Sequence, residues 1–529
     1  MTYRVIATDK LAPQGVEVFR ANPEIEIDLR PGLPPAELAA VVGTYDALVI
    51  RSGTRVTADT LREPGRLRVI GRAGIGVDNI DVAVATKKGI VVMNTPGGNN
   101  VTTAEHTITL MLALARWIPQ ADASLHKGQW ERQRFEGTEV CNKTLGIIGL
   151  GNIGHIVAER AQGLRMRVIA HDPFVTAETA AKMKVDLVTL DELYARADFV
   201  SVHTPLTAET RGLVNAAAIA KMKKGVRLVN CARGGIIDEQ ALADAIKAGH
   251  VAGAALDVFV KEPPPADHPL LQLPQVIVTP HLGASTSEAQ INVAVAIAEQ
   301  VSKFLLRGEV ESAVNMPSVS REMLQLLRPH LLLGEKLGSF LAQLSPEPPT
   351  ELSVEYAGQV AELDWRPVTH AILRGLLSPF LEDGVNYVNA PAIARERGIK
   401  VLEGRSSRSS DFVNSITVHV TRPSGESEVE GALFGTSILR LVRIDDFYME
   451  AVPEGYVLML NNRDVPGVVG RVGTLLGTHG VNIAGLELGR ERVGGMAISF
   501  VHVDSAVPES VLEELRRSPD IISARLLKL

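Results

Sequence analysis

Lys143–Asp172 reads KTLGIIGLGNIGHIVAERAQGLRMRVIAHD. The aliphatic run Leu145 to Ile148 reads as a buried strand, and glycines follow at Gly149, Gly151 and Gly154. A helical segment comes next, then a second apolar run, Val168 to Ala170, that ends on Asp172. Strand, G-x-G-x-x-G turn, helix, strand and acidic residue form the dinucleotide fingerprint in the context it requires. Gly149 permits a tight turn, Gly151 lets the backbone approach a pyrophosphate, and Gly154 lets the helix pack against the strand. The helix N-terminus presents free N–H groups and a partial positive charge to the phosphates. Asp172 stands 18 positions beyond Gly154, where a carboxylate accepts from both ribose hydroxyls and repels a 2′-phosphate. No arginine adjoins it, so NAD is favoured over NADP.

Similar alternation surrounds this unit. Apolar runs at 3–8, 47–51, 67–71 and 90–93 alternate with helical patterns, which predicts a parallel sheet before the fingerprint. Predicted strands near 145–149, 167–171, 198–202, 226–230, 253–257 and 275–279 continue the nucleotide unit. Long helical segments at Asn99–Ile118 and Ser285–Leu306 bracket it and carry the chain out and back. The expected division is a substrate domain at 1–98 and 285–319 and a nucleotide domain at 99–284, with the active site in the cleft between them. An amphipathic helix over 321–343 opens a further domain at 320–452. Residues 453–529 alternate strand, helix, strand, strand, helix, strand, a ferredoxin-like βαββαβ pattern.

With 529 residues the chain is long enough for several cores. Hydrophobic residues at 46%, charged residues at 22% and a net charge of −7 describe a globular protein with no footprint for nucleic acid or an anionic membrane. Two cysteines, Cys141 and Cys231, form no disulfide framework or metal-ligand cluster and fit a reducing cytoplasm. No metal is expected.

Three polar residues fall at or just beyond predicted strand ends, where open α/β sheets place ligands. Arg233 follows Val229-Asn230, Glu262 follows the strand ending at Asp257, and His281 follows Val276–Pro280. Oxidation of a secondary alcohol needs a base for the hydroxyl proton, a carboxylate to orient that base, and a cation to hold an acidic substrate. His281, Glu262 and Arg233 are of those three types. Glu105 and His106 tempt as a pair, but a packed position on the connecting helix is the plainer reading.

Asn230-Cys231-Ala232-Arg233-Gly234-Gly235, Ala255–Phe259 and Pro280–Thr286 resemble the D-isomer-specific 2-hydroxyacid dehydrogenases. Gly71–Asn79 and Trp130-Glu131-Arg132 resemble the long members of that family that oxidise 3-phospho-D-glycerate. Val388-Asn389-Ala390-Pro391 and Ala394–Ile399 are similar to their intervening allosteric domain. Asp464–Gly467 and Val481-Asn482-Ile483 are similar to an ACT domain, a small-ligand sensor.

The resemblance implies a Rossmann-type domain inserted in a flavodoxin-like one, followed by the α+β intervening domain and the ACT domain. It implies NAD-dependent oxidation of 3-phospho-D-glycerate to 3-phosphohydroxypyruvate, the first step of the phosphorylated route to L-serine, with L-serine as effector. Arg233, Glu262 and His281 would be catalytic. Gly149, Gly151, Asn152, Ile153, Gly154, Asp172, Thr204, Cys231, Ala232, Arg233, Asp257, His281, Gly283 and Ala284 would form the NAD site. Asn152 stands where many relatives have arginine, leaving its backbone N–H for the phosphate. Arg51, Ser52, Gly74, Ile75, Gly76 and Asn99 would hold substrate, and Arg132 and Arg134 could add charge from a neighbouring subunit.

Asp464 and Asn482 are expected to reach one edge of the ACT sheet and share the effector. A homo-oligomer, a tetramer first, is expected from apolar surface on the two long helices and from the exposed edge of the ACT sheet. Alternatives are another 2-hydroxy acid, such as glycerate or 2-hydroxyglutarate, and a non-catalytic NAD sensor on the same fold.

Overall fold

The apolar runs of the first hundred residues form a parallel sheet in the computed structural model, which describes residues 2–381, 384–406 and 412–529. Its strands are β1 (Tyr3–Ala7), β2 (Ile25–Leu29), β3 (Ala47–Ile50), β4 (Val69–Arg72) and β5 (Val91–Met93), in the order β2-β1-β3-β4-β5. That order is flavodoxin-like. Central β3 is buried at every residue, as a strand covered on both faces must be. The sequence reading missed β2, because Ile25-Glu26-Ile27-Asp28-Leu29 alternates apolar and acidic residues. At the sheet edge that half-wet pattern suffices.

The fingerprint opens a second parallel sheet with strands β6 (Thr144–Ile148), β7 (Arg167–His171), β8 (Asp186–Leu187), β9 (Phe199–Val202), β10 (Val226–Asn230), β11 (Val251–Leu256) and β12 (Val276–Val278). The order β12-β11-β10-β9-β6-β7-β8 reverses direction beside β6, the Rossmann switch point. The helix Asn100–Arg116 buries Leu110, Met111, Leu114 and Ala115 in the core of this sheet. It ends where Trp117 takes a left-handed φ of 58°, and Ile118–His126 follows as a separate helix. The helix Ser287–Arg307 returns the chain to the first sheet and buries Val293, Ala294, Ile297, Ala298, Val301 and Leu305 against it. Its apolar stripe is therefore occupied inside the chain and does not supply the pairing surface expected of it.

Residues beyond 320 build two more sheets. Strands β13 (Glu351–Gly358), β14 (Lys400–Arg405), β15 (Asn414–Arg422), β16 (Gly425–Phe434), β17 (Ile438–Ile444) and β18 (Phe447–Ala451) form a mixed sheet, of which only the β13–β14 pairing is parallel. It packs against the helices Arg321–Leu344 and Arg366–Leu377. Close approach of these helices needs small residues: a Cβ on Gly338 would lie 2.1 Å from the Ile372 carbonyl oxygen.

The last sheet, β19 (Tyr456–Arg463), β20 (Ile483–Arg490), β21 (Met496–Val503) and β22 (Ile521–Lys528), is antiparallel in the order β20-β21-β19-β22. On β19, Leu458 and Leu460 face the helices of this module, while Val457 and Met459 join the core around Arg321–Leu344. Burial on both faces explains why β19 does not alternate. Gln343 ties the modules further, donating to the Lys528 carbonyl at 3.0 Å and accepting its N–H at 2.9 Å.

This topology corrects the expected effector site. β19 and β20 run in the same direction, with Tyr456 and Ile483 both opposite Val503. Asp464 follows the far end of β19, and Asn482 precedes the near end of β20. They stand at opposite ends of the sheet, roughly 25 Å apart at about 3.3 Å per residue. One small ligand cannot touch both in a single chain. The physical reason is that the intervening helix carries the chain back along the full length of the strand. Asp464 accepts from Gly494 N at 3.1 Å, and Asn482 donates to Asp504 at 2.7 Å.

Candidate active site

At the switch point the three glycines are required in different ways. Gly149 has φ 94°, and a Cβ there would lie 2.8 Å from the His203 carbonyl oxygen. A Cβ on Gly154 would lie 2.0 Å from the Gly149 carbonyl oxygen, so the helix Gly154–Gly163 can start this close only on glycine. Around Gly151 there is open space, where a pyrophosphate would meet bare backbone. Asp172 accepts from Leu150 N and Phe174 N, both at 2.8 Å, so its carboxylate is held rigidly beside the turn. The Thr204 hydroxyl is buried with no hydrogen-bond partner among the described residues and lies on the wall of the same cleft. This donor set fits NAD.

The cleft has a volume of about 340 Å³ and is lined by residues of both lobes. From the expected NAD set it includes Gly151, Asn152, Ile153, Thr204, Cys231, Ala232, Arg233, His281, Gly283 and Ala284. From the expected substrate set it includes Ile75, Gly76 and Asn99. Cys231 is a neutral wall, since burial pushes its thiol up to about 12.

Asp257 does not line the cleft. It is 1% exposed and accepts from Leu282 N at 2.7 Å and Gly283 N at 2.8 Å, while its carbonyl accepts from His281 N at 3.0 Å. His106 approaches the same carboxylate at 3.2 Å, which is the packed helical position anticipated for it. Burial raises the Asp257 carboxyl, but hydrogen bonds led by His106 and Thr279 outweigh it and hold the pKa below the ordinary value. Asp257 thus anchors the loop that presents His281.

His281 has φ 56°, a left-handed conformation uncommon outside glycine and sustained here by that anchor. Its Nδ1 lies 2.7 Å from Glu262 Oε2. Burial raises the Glu262 carboxyl, yet hydrogen bonds from His281 and from Phe259 N–H hold its pKa below the usual value. An ionised carboxylate only accepts, so Nδ1 carries a proton toward Glu262, and Nε2 is the nitrogen whose lone pair a neutral ring presents to the cleft.

Arg233 reaches from the nucleotide lobe to the facing one: a Cβ on Gly76 would lie 1.9 Å from Arg233 Nη2. Beside it is Arg72, at the carboxyl end of β4 and on the cleft wall. Burial, then the Arg233 charge, lowers the Arg72 pKa to about 10, and its Nε has no partner among the described residues. A Cβ on Gly74 would lie 1.8 Å from Arg72 Nη1, so Gly74 makes room for this guanidinium. Sequence reading passed over Arg72 although it sits inside a quoted motif. The strand-end rule that selected Arg233 would have found it.

Arg51 and Ser52 lie off the cleft. Arg51 faces an adjoining hollow of about 620 Å³ shared with Ser285, Thr286, Ser287 and Gln290. Its N–H donates to Asp9 at 2.6 Å, and burial lowers its pKa.

A nucleotide sheet, a facing lobe and a Glu–His pair at their junction define the class. Residues 108–283 match the NAD-binding domain of the D-isomer-specific 2-hydroxyacid dehydrogenases. Residues 326–445 match the D-3-phosphoglycerate dehydrogenase intervening domain, and 456–520 match the ACT domain. D-3-phosphoglycerate dehydrogenase of Synechocystis sp. is 43% identical over 527 residues, covering 99% of this chain and 95% of the relative. That of Bacillus subtilis is also 43% identical, with both chains covered in full. The crystal structure of D-lactate dehydrogenase from Aquifex aeolicus, complexed with NAD and lactic acid, is 26% identical with a TM-score of 0.52, covering 60% of this chain and all of that one. The chain belongs to the D-3-phosphoglycerate dehydrogenase family.

Proposed function

We propose that the chain oxidises 3-phospho-D-glycerate to 3-phosphohydroxypyruvate with NAD, the first step of the phosphorylated route to L-serine. The observation that carries this reading is the His281–Glu262 pair at 2.7 Å, set in a glycine-floored cleft with Arg72 and Arg233 on its wall. When bound, NAD supplies the oxidant for carbon 2 of the substrate. His281 Nε2 takes the C2 hydroxyl proton, and Glu262 offsets the positive charge that the ring acquires. Arg233 and Arg72 hold the substrate carboxylate, with Asn99 and the backbone of Ile75 and Gly76 around it. Arg51, on the wall of the hollow, reads the phosphate together with Ser52, its neighbour in the chain. Asp172 and Thr204 take the cofactor ribose and neighbouring groups, and the N–H groups of Gly151, Asn152 and Ile153 take the phosphates. NADH formation across a series of 2-hydroxy acids, with and without L-serine, tests this reading. A preference for an unphosphorylated acid would overturn the substrate assignment.

Two consequences are specific. Asp172→Ala should weaken NAD binding and narrow the preference over NADP, because the ribose loses an acceptor and the 2′-phosphate loses its repeller; wild-type use of NADP equal to NAD would refute this. Arg51→Ala should raise KM for phosphoglycerate by on the order of tenfold or more, the scale of one lost charge-assisted contact, and leave KM for glycerate nearly unchanged. An equal effect on both substrates would detach Arg51 from the phosphate.

The functional division in this reading is a substrate domain at 1–98 and 285–319, a nucleotide domain at 99–284, an intervening domain at 320–452 and an ACT domain at 453–529. The protein works in the cytoplasm as a homotetramer. What supports association is exposed apolar surface on the helix Ile118–His126 and the loop after it, with Ile118, Leu125 and Trp130 exposed by 55%, 57% and 81%. L-serine is the effector of the ACT domain. For Asp464 and Asn482 to grip it together, two copies of the module must meet, so the effector site belongs to the oligomer. Among the described residues no helix is long and apolar enough to cross a membrane.

A further inference from the structure

One ion pair in the cleft is used by none of these steps. Asp78, on the loop after β4, accepts from Arg233 Nε at 2.8 Å across the junction of the two lobes. Arg233 Nη1 donates to its neighbour's carbonyl, Ala232 O, at 2.7 Å. A guanidinium is planar and carries five N–H donors. Fixing Nε and one N–H of Nη1 fixes the plane and leaves the two N–H groups of Nη2 and the other one of Nη1 as a free edge among the described residues. Gly76 shows where that edge is, packed bare against Nη2.

The next residue continues the pattern. Asn79 donates to the Arg51 and Thr54 carbonyls, both at 2.6 Å, and so holds the loop that carries Arg51. Residues 78 and 79 together tie the Arg51 loop to Arg233 on the other lobe. The charge of Asp78 also acts on Arg72, raising its pKa against the lowering by burial and by Arg233. The Asp78 side chain is 66% exposed, and an exposed ion pair contributes little to folding. Its consequence is the aim of the guanidinium.

We propose that Asp78 is a positioning residue for substrate binding: from the facing lobe it sets the plane of Arg233 so that the free edge of the guanidinium meets the substrate carboxylate. The inference rests on the reading of Arg233 as the carboxylate grip. The test compares Asp78→Ala and Asp78→Asn in the full-length enzyme, with NAD affinity and Tm measured alongside. Asp78→Ala should raise KM for 3-phosphoglycerate about tenfold, the size of one lost hydrogen bond to a charged group, with kcat within about twofold. NAD affinity and Tm should stay at wild-type values. Asp78→Asn keeps an oxygen acceptor for Nε and should recover most of the loss.

In an Arg233→Lys background, which has no Nε to orient, Asp78→Ala should add nothing further. An unchanged KM in Asp78→Ala, no recovery in Asp78→Asn, or the same tenfold rise in the Arg233→Lys background would each overturn the proposal. Wild-type turnover is measured first. If another 2-hydroxy acid proves to be the substrate, the same comparison is made with that acid, since it too carries a carboxylate. The substrate reading can then fail while Asp78 is still tested.

Discussion

Replacing His281 with alanine is expected to lower kcat by roughly 10²–10⁴-fold, the range for losing a positioned acid–base group. The argument is geometric. The left-handed backbone at His281 and the Asp257 anchor beneath it aim one imidazole at the cleft, and Glu262 fixes which nitrogen is free. Other histidines in this lobe are poorly suited to replace it. His106 is held against Asp257. His203 is a neutral group on the cleft wall, its pKa lowered to about 4 by burial, with Nε2 tied to Ser201 at 2.8 Å. NAD affinity should change little, because the phosphate donors and Asp172 lie on other loops. A variant that retains near-wild-type kcat would remove His281 from the proton-transfer role.

Arg233→Ala should lower kcat/KM by roughly 10²–10³-fold, mainly through KM, as expected when one partner of a desolvated charge pair is removed. The loss is larger than that predicted for Asp78→Ala because the substrate carboxylate itself goes unpaired. Arg72 remains, so binding is weakened and not abolished. Arg233→Lys should recover little: an ammonium restores the charge but not two parallel N–H donors in a plane. Steady-state kinetics that show an unchanged KM in Arg233→Ala would refute the carboxylate assignment.

Much of the protein was legible before folding. The nucleotide turn could be read because each glycine answers a local demand, a positive φ at Gly149 and a backbone contact at Gly154, that other residues do not meet. Arg233, Glu262 and His281 could be read because parallel sheets deliver strand ends to one crevice, so sequence order already implies a shared location. Most strand boundaries followed from apolar runs bounded by turns. Edge strand β2 escaped because its pattern is half polar, and the short β8 because two residues give no period.

Other features depended on the tertiary structure. Asp257 looked like a cofactor ligand by position, yet burial and the hydrogen bonds from Thr279, Leu282 and Gly283 to its carboxylate make it the support of the His281 loop. Asp464 and Asn482 looked like partners from their places in the βαβ order, and the direction of the strands separates them. The returning helix Ser287–Arg307 looked like a pairing surface until the first sheet covered its apolar stripe. What the sequence by itself determined is what local stereochemistry and periodicity encode: the nucleotide turn, the parallel sheets and the three residues at their ends. What only the tertiary structure decided are the contacts between segments far apart in the chain. Arg72 beside Arg233, and Asp78 reaching Arg233 across 155 positions, depend on how two lobes face each other. No local pattern carries that distance.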